Sequence, residues 1–527
     1  MRITYLEIPS YKNLEDIKLH FNAELVTLLI GKNGLGKSNL LEIIAYIFSS
    51  IDLAEKEEDF TIVNDNVNSP KLYEFIIEYD CKDHSIHFSV IDNKLVIKVK
   101  NIKDKEYQEI DFKTFKRDKL NYTPDYIIGY YSGENSRIKK FFQKHKTKRI
   151  NNIKKRDNDQ NFPALGRLFF TEENCGELLF FTLSMFRNDA DFKDKIDDLL
   201  YNYLEIDEKS KVAIAFNNPG FYNSYKEKSV DKLISNLLDK NSRNNFWGIT
   251  GKIDDFISLL YDNNLDEPNA YRDEEESIED NINEFIIIDK IKYKELIKNL
   301  PKFLKDPIHF FDILHSAYEL GIIYKIYGEL IKNGQSLSLN YSELSEGEQQ
   351  MLTVLGLILI AGRDDCLFLL DEPDTHLNPN WQRDLIEHIK EFNINDNNSH
   401  IFLATHSPLV VQSSMEKDDV FVFKKDKDEK VEIEKFEHHF DNWRIDQVLL
   451  SSLFDIDSAR PKHLDPFMKK REELLAKPNL TIEDIEYLEK IDNEIGHLPT
   501  GETLNDFQTM HLLRKIVSKS KINDKNK

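Results

Sequence analysis

The stretch GKNGLGKS, from Gly31 to Ser38, determines how the rest of the sequence is interpreted. It fits the pattern G-x-x-x-x-G-K-[S/T], and it lies between the apolar segment ELVTLLI and the amphipathic segment NLLEIIAYIFSS. Glycine is scarce in this chain, at 18 of 527 residues, so composition does not account for three glycines within six positions. The pattern predicts a β-strand, a glycine-rich loop that binds phosphate, and a helix.

Such a loop holds a nucleotide through its backbone amides and the helix N-terminus, where unpaired donors and the helix dipole favour anions. Gly34 and Gly36 permit unusual backbone angles and a close approach of the phosphates. Lys37 is predicted to reach the β- and γ-phosphates of ATP, and Ser38 to ligate Mg²⁺. The predicted cofactor-binding residues of the loop are Gly31, Asn33, Gly34, Gly36, Lys37 and Ser38.

Two later strands are predicted to end in polar residues that suit the same site. The segment CLFLLDEPD ends in Asp371 and Glu372, and buried carboxylates are costly unless they are paired or bind a metal. Asp371 is predicted to hold Mg²⁺, and Glu372 to orient or activate the attacking water. Alternatively, both carboxylates face solvent at the end of the strand. HIFLATHSP places His406 at the next strand end, near the γ-phosphate or the water, although a lone histidine there is more often structural.

The segment LSEGEQQ has two interpretations. Ser345 is a predicted helix N-cap with Glu348 three residues later, as in a capping box. Gly347 is a poor residue for the first turn of a helix. The alternative is that the Ser345 hydroxyl and the Gly347 amide bind a phosphate.

Four motifs occur in an order that resembles the ABC-type ATPase superfamily: GKNGLGKS, LSEGEQQ, LFLLDEPDTHLNP and ATHSP. They are similar to its Walker A loop, its signature, its Walker B strand with D-loop, and its switch histidine. The form DEPDTHLNP is most similar to the soluble, non-transporter AAA family branch of OLD-like, RecF-like and SMC-like ATPases. With ITYLEIPSYKNLEDIKLHF and VLLSSLFDIDSARP, the chain resembles restriction-system-associated and antiphage-defence ATPases, nearest to the Septu PtuA group.

The resemblance implies a composite site between two heads. Ser345, Gly347 and Glu348 of one copy would contact the γ-phosphate of ATP held by the other, and Asp374 would lie at the interface in the D-loop. This implies a homodimer or higher homo-oligomer and a separate effector subunit, a nuclease. The sequence departs from the family at Glu346, which replaces a glycine, and a Q-loop glutamine is not evident.

The predicted fold class is α/β: an ABC-type P-loop ATPase head with a mixed sheet and an antiparallel β meander. A large, mostly helical insert and a helical C-terminal extension complete it. Residues 1–135 and 341–440 are predicted to form the head, 136–340 the insert and 441–527 the extension. DVFVFKKD and KVEIEKF are predicted edge strands.

Charge limits the choice of partners. The net charge of −23 argues against nucleic-acid binding over the whole surface, yet Arg137 to Arg156 holds 10 Lys or Arg in 20 residues. That segment suits a nucleic acid, an acidic protein or the chain's own acids, or it is a plain solvated helix. A cytoplasmic location and no membrane association are expected. Three functions remain: a defence ATPase, a DNA-repair or chromosome-maintenance ATPase that clamps DNA, and a transporter subunit.

Overall fold

The structure is a computed structural model of the whole chain. It describes residues 1–60, 73–133, 137–154, 167–172, 174–207, 211–216, 252–262, 269–272, 284–288, 293–333, 338–362, 365–393, 399–414, 417–436, 443–451, 453–454, 461–475, 477 and 480–495. The chain divides into two compact units, Met1–Trp443 and Arg444–Lys527. The predicted insert, residues 136–340, is therefore not a compact unit of its own.

The strands follow one another along most of the first unit. In chain order they are β1 (Arg2–Tyr11), β2 (Leu14–His20), β3 (Val26–Gly31), β4 (Phe75–Cys81), β5 (His84–Ile91), β6 (Lys94–Asn101), β7 (Gln108–Ile110), β8 (Tyr126–Tyr131), β9 (Leu168–Phe170), β10 (Lys211–Phe216), β11 (Asn269–Arg272), β12 (Glu284–Ile288), β13 (Ile323–Ile331), β14 (Ser338–Leu339), β15 (Cys366–Asp371), β16 (Ser399–Thr405), β17 (Asp419–Lys425) and β18 (Val431–Lys435).

The helices lie between these strands and in the second unit. In chain order they are α1 (Lys37–Leu53), α2 (Phe112–Arg117), α3 (Lys119–Tyr122), α4 (Lys139–Lys154), α5 (Cys175–Phe186), α6 (Lys193–Asp197), α7 (Lys252–Asp262), α8 (Tyr293–Asn299), α9 (Pro307–Glu319), α10 (Glu346–Ala361), α11 (Pro379–Phe392), α12 (Pro408–Gln412), α13 (Ile445–Leu449), α14 (Asp465–Leu475) and α15 (Ile482–Ile495). A π-helix spans Asp198–Tyr203, and short 3₁₀ helices span Glu57–Phe60, Lys302–Lys305, Tyr341–Glu343 and Lys462–Leu464.

The central sheet has seven strands in the order β18-β17-β3-β16-β15-β8-β9. All neighbouring pairs are parallel except β17 with β18. Strands β3, β15 and β16 are buried at every position, because elements cover both faces of the sheet. This mixed sheet, with helices between its parallel strands, confirms the predicted α/β fold.

The N-terminal sheet is antiparallel, in the order β2-β1-β4-β5-β6-β7. Its last four strands form the predicted meander. Helix α1 contributes Ile43, Ile44 and Ile47 to a hydrophobic core that also includes Leu369 and Phe402 of the central sheet and residues of the N-terminal sheet. The helix is therefore buried between the two sheets, which fixes the position of the loop before it.

The insert is mostly helical where it is described, and it also contains a five-stranded antiparallel sheet that was not predicted, in the order β11-β12-β10-β13-β14. One prediction about strands was wrong. Strand β17 is not an edge strand, because it pairs with both β3 and β18. The sequence VDKLISNLLDK predicts a helix of the insert, and its residues lie outside the described part of the chain.

The second unit is helical wherever it is described, from α13 to α15. Within the part of the chain that the structure describes, no helix is both long and apolar enough to span a membrane.

Glu177, in the first turn of α5, gives a testable pH dependence. Burial raises the pKa of its carboxyl from 4.5 to about 7, against the opposing effect of Lys325. The folded state therefore binds a proton that the unfolded chain has released between these pH values, so this group's stabilisation is lost as the pH rises through that window. Glu177→Gln should gain stability relative to the wild type between pH 5 and pH 8, measured by urea midpoints. The control Glu109→Gln, at an exposed position, should not show this gain. If the urea midpoints of both variants depend on pH in the same way, the proposed effect of burying Glu177 is contradicted.

Candidate functional site

Four parallel strands end at one edge of the central sheet and carry the candidate residues there. Asp371 at the end of β15 is level with Ala404 of β16 and Tyr131 of β8, and Ala404 is level with Leu29 of β3. Because the carboxyl ends of parallel strands meet at the same edge, the phosphate loop, the acid pair and the histidine turn lie side by side.

The backbone of the phosphate loop adopts conformations that favour glycine. Gly34 and Gly36 have φ angles of 82° and 103°. A Cβ on Gly36 would lie 2.9 Å from Asn13 Oδ1, and the side-chain amide of Asn13 donates through Nδ2 to Gly34 O at 3.2 Å. The turn between β1 and β2 thus supports the loop from behind, a contact that sequence analysis missed. Asn33 is exposed at the loop tip.

Lys37 is the buried cation of the site, with only 5% of its surface exposed. Its ammonium donates to Gly31 O at 2.8 Å and lies 2.7 Å from His406 Nε2. Burial lowers its pKa to about 8, although Glu372, Asp371 and Asp374 oppose this shift. An ammonium has no acceptor, so in this contact Nε2 of His406 is the acceptor.

Ser38 and Asp371 line one small cleft and fit a divalent cation. Burial raises the pKa of the Asp371 carboxyl to about 6, and a hydrogen bond with Ser38 opposes the rise. Its Oδ1 is buried without a hydrogen bond in the described structure. An orphaned carboxylate oxygen beside a hydroxyl suits Mg²⁺, which takes oxygen ligands. The described residues contain no cluster of three or more His, Cys, Asp or Glu that could hold a metal, so phosphate and water would supply the other ligands.

Glu372 is held in a strained backbone conformation. Its φ is 54°, which is unusual for a residue with a side chain and recurs at functional sites. Its amide donates to Ala404 O at 2.9 Å, and its carbonyl accepts from the Thr375 hydroxyl at 3.0 Å. Its Oε1 lies 3.4 Å from His406 Nε2. Nε2 of His406 therefore contacts both the Lys37 ammonium and the Glu372 carboxylate.

Asp374 is buried within its own chain. It is 5% exposed, and its Oδ2 accepts a hydrogen bond from the Thr405 hydroxyl at 2.9 Å. Burial raises the pKa of its carboxyl to about 6. Its neighbours Thr375 and His376 are the exposed residues of this turn. Asp374 thus fixes the turn before His406 from inside the chain, and the place of this turn at an interface between two heads stays a prediction.

Ser345 and Glu348 form the predicted capping box. The Ser345 oxygen accepts from the Glu348 amide at 3.3 Å, and the Glu348 carboxylate accepts from the Ser345 amide at 2.9 Å. The Glu348 carboxylate is also paired with Lys332, which donates to Leu204 O at 2.6 Å. The lysine joins the signature helix to the end of the π-helix in the insert.

The signature residues are not brought to the phosphate loop of their own chain. They line a broad groove of about 700 Å³ whose wall contains no phosphate-loop residue. The groove is lined by Asn202, Tyr203, Glu205, Ser345, Glu346, Gly347, Glu348, His376, Asn378 and Trp381.

A structural role accounts for Gly347 within the chain. A Cβ at this position would lie 2.7 Å from the backbone oxygen of His376. The glycine therefore allows the signature helix to pack against the turn after Asp374, whether or not its amide also binds phosphate.

Gln350 of α10 is a residue of the site that sequence analysis missed. Its side chain donates to Glu372 O at 3.4 Å and accepts from the His376 backbone amide at 3.2 Å.

The basic segment forms helix α4, and much of its charge is used within the chain. Lys146 pairs with Glu172 at 2.9 Å and with Glu319 at 3.1 Å. His145 lies 3.1 Å from Asp52. These contacts agree with the alternative in which the segment binds the chain's own acids. Residues 155 and 156 lie outside the described residues.

A parallel sheet whose edge gathers a glycine loop, a buried lysine, two acids and a histidine defines a P-loop nucleotide-binding protein. The chain belongs to the family described as "AAA domain, putative AbiEii toxin, Type IV TA system", which matches residues 26–412.

One curated protein is similar over most of the chain. The "Retron Vc95 probable ATPase" of Vibrio cholerae serotype O1 biovar El Tor is 24% identical over 440 residues, covering 78% of this chain and 71% of that protein.

Two solved structures also align with the chain, each at 13% identity over 83% of it. They are the SmcHead bound to the C-winged helix domain of ScpA, with 98% of that chain covered and a TM-score of 0.34, and the SMC head domain from Thermotoga maritima, with 100% covered and a TM-score of 0.31. These TM-scores are low, and the fold is defined by the strands and helices of this chain.

Two glycines of α10 provide a matched test of the packing against His376. Gly347→Ala should destabilise the protein, because its Cβ meets a backbone oxygen that cannot rotate away. Gly356→Ala places its Cβ 3.5 Å from Leu183 Cδ1, an ordinary contact, and should stabilise by roughly 0.5–1 kcal/mol through helix propensity. Thermal unfolding measures both. Equal shifts in the same direction would show that the close approach at Gly347 is unimportant.

Proposed function

We propose that this protein is a Mg²⁺-dependent ATPase of a bacterial defence complex, in which the nucleotide state of paired heads controls a separate effector. The observation that carries the ATPase proposal is the convergence of Lys37, Glu372 and His406 beside the Ser38–Asp371 cleft. A loop that only bound phosphate would not need a strained acid and a histidine at the same edge.

Binding would use the loop and its buried cation. The amides from Gly31 to Ser38 and the Lys37 ammonium would hold the β- and γ-phosphates. Phosphate oxygens would replace His406 as the acceptor of the lysine proton, which releases the imidazole for the terminal phosphate. Mg²⁺ held by Ser38 and Asp371 would neutralise charge on the phosphates.

Hydrolysis would use Glu372 as the group that orients or deprotonates the attacking water. Its carboxylate is half-buried and lies 3.4 Å from His406 Nε2, so both side chains face one reacting centre. Asp374 and Thr405 would keep the histidine turn in place, since the hydroxyl of Thr405 also accepts from the Ser407 amide at 2.9 Å.

The head pairing is supported by the separation of the two motif sites within one chain. Ser345 and the Gly347 amide lie in a groove with no phosphate-loop residue, at a helix N-terminus that suits an anion. A nucleotide held by a second copy would supply that anion. This arrangement supports a homodimer with composite ATP sites.

The defence role and the effector rest on relatives rather than on the site. The description of the family and the name of the curated relative refer to a toxin–antitoxin system and to a retron ATPase. The alternative is a RecF-like or SMC-like ATPase that clamps DNA by itself. The ion pairs of Lys146 with Glu172 and Glu319 favour the first proposal, because they neutralise positive charge that DNA binding would need.

Glu372→Gln tests the hydrolytic role. The amide cannot accept a proton but keeps the size of the side chain, so ATP should bind with little change. Phosphate release should fall by about a hundredfold or more. Fluorescent-nucleotide titration and a phosphate-release assay measure the two effects. Wild-type turnover by the variant would remove Glu372 from the mechanism.

The same variant tests the effector. Because it should remain in the ATP-bound state, it serves as tagged bait for proteins encoded beside its gene. If the protein is an ATPase that controls a separate effector, the bait should recover a nuclease in a stable complex. Tight, ATP-dependent DNA binding by the isolated protein, without such a complex, would instead favour the clamp.

Two substitutions at Ser345 separate its cap from its role in pairing. Ser345→Ala and Ser345→Arg both remove the capping hydroxyl and should cost about 1 kcal/mol of stability. Only arginine adds bulk to the groove, so it should block ATP-induced dimerisation and hydrolysis while sparing nucleotide binding. Light scattering and turnover compare the variants. If they hydrolyse ATP equally well, Ser345 is a helix cap and nothing more.

A further inference from the structure

Gln350 of the signature helix α10 spans the turn that begins at Glu372. Its Nε2 donates to Glu372 O at 3.4 Å, and its Oε1 accepts from the His376 backbone amide at 3.2 Å. Tyr130 of β8 forms a further hydrogen bond with this side chain. The glutamine is 4% exposed, so these bonds are made away from solvent. One buried side chain therefore joins both ends of the turn to the helix.

The two backbone bonds determine which way the Gln350 amide points. If its oxygen and nitrogen were exchanged, Nε2 would face the His376 N–H and Oε1 would face the Glu372 carbonyl. Two donors and two acceptors would then oppose each other. The amide is thus matched to the turn in a way that a hydrocarbon side chain of the same length is not.

The helix also contacts this turn through Gly347. Gly347 lies three residues before Gln350, which places both on one face of α10. A Cβ on Gly347 would lie 2.7 Å from His376 O, so the helix backbone approaches the turn closely there. The helix therefore meets His376 at its carbonyl and at its amide. Two contacts almost one helical turn apart restrict both sliding and rotation of the turn against the helix.

Glu372 needs such support because its backbone is strained. A residue with a side chain keeps a φ of 54° only when the surrounding structure holds it. Its amide is bonded to Ala404 O of β16. Two bonds to its carbonyl come from Thr375 in the same turn, at 3.0 and 3.4 Å. Among the described residues, Gln350 is the one that attaches this carbonyl to another element.

We propose that Gln350 is a positioning residue that holds Glu372 in the conformation required for hydrolysis and makes this conformation depend on the signature helix. The inference rests on the proposed ATPase function, in which Glu372 orients or deprotonates the attacking water. Ser345 begins the same helix, so an anion bound beside it would fix the helix and, through Gln350, the acid of that chain. Each head would thereby respond to the nucleotide of its partner.

Gln350→Met in the full-length protein tests the positioning role. Methionine keeps the length of the side chain and removes both bonds to the turn, so kcat for ATP should fall roughly tenfold. KM and ATP affinity should stay close to the wild-type values, because no group that binds the nucleotide is removed. Gln350→Asn keeps an amide that is too short to span the turn and should lose kcat in the same way. Phosphate release, titration with a fluorescent ATP analogue and thermal unfolding measure these effects.

Gln349→Met is the matched control. Gln349 is the preceding residue of the same helix, and in the described structure its side chain donates to Leu344 O at 2.9 Å and to Tyr341 O at 3.5 Å. The same substitution there leaves the bonds to the turn intact and should leave kcat close to the wild-type value. An equal loss of kcat in both variants would assign the effect to the helix as a whole and overturn the proposal.

A double-mutant cycle shows whether Gln350 acts through Glu372. Glu372→Gln already removes the carboxylate, so adding Gln350→Met should have little further effect on the residual hydrolysis. A further tenfold loss in the double variant would mean that Gln350 supports some other group, and the proposal would be wrong.

Amide hydrogen exchange provides a measurement that is independent of turnover. Without nucleotide, a peptide containing residues 372–377 should exchange faster in Gln350→Met than in the wild type or in Gln349→Met, because the His376 N–H has lost its acceptor. Unchanged exchange would overturn the proposal. A wild-type protein that binds ATP without hydrolysing it would instead refute the ATPase function, and the exchange comparison would still test whether Gln350 holds the turn.

The link to the groove has its own test by the same method. A non-hydrolysable ATP analogue that pairs the heads should slow exchange of this peptide in the wild type. The effect should be lost in Gln350→Met and in Ser345→Arg, whose groove is blocked. Equal slowing in all three proteins would show that the turn does not depend on the signature helix.

Discussion

The burial of the Lys37 ammonium is the constraint on which the rest of the site depends. A buried cation is costly, and burial lowers its pKa to about 8 even though the neighbouring carboxylates oppose the shift. The neighbouring carboxylates of Asp371 and Asp374 carry the opposite penalty, because burial raises both of their pKa values to about 6. Each charge lowers the free-energy cost of burying the opposite charges beside it. These groups are close together because the parallel strands that carry them end at one edge of the sheet. The site is thus a preformed set of charges whose imbalance a polyanion and a cation would relieve.

The signature helix depends on the insert through one lysine. Lys332 follows β13 and bonds both the Glu348 carboxylate and Leu204 O. Burial opposes ionisation of Glu348, but the bonds from Lys332 and Ser345 prevail and hold the pKa of this carboxyl below its usual value. The same carboxylate caps Ser345, so a shift of the insert at Leu204 would strain the bond that orients the signature serine. Sequence analysis had left the connection between the nucleotide site and the insert undefined.

Sequence patterns identified the head because its elements have local signals. A continuous apolar run such as CLFLLD indicates a strand buried on both faces, and the glycine loop has fixed spacing. The same rule should have placed β17 inside the sheet, since its first five residues are all buried. The insert sheet was missed because its strands are short and pair with strands far away in the sequence, as β10 does with β13. Lys332 belongs to no motif, and only the fold shows that it pairs with Glu348.

Helix α4 resolves an apparent conflict between a basic segment and an acidic chain. Lys146 neutralises Glu172 before α5 and Glu319 at the end of α9, and His145 contacts Asp52 at the end of α1. Ser49 of α1 also donates to Phe141 O at 3.0 Å, which fixes the helix against the head. The positive run is therefore explained by contacts within the chain that join the head to the insert.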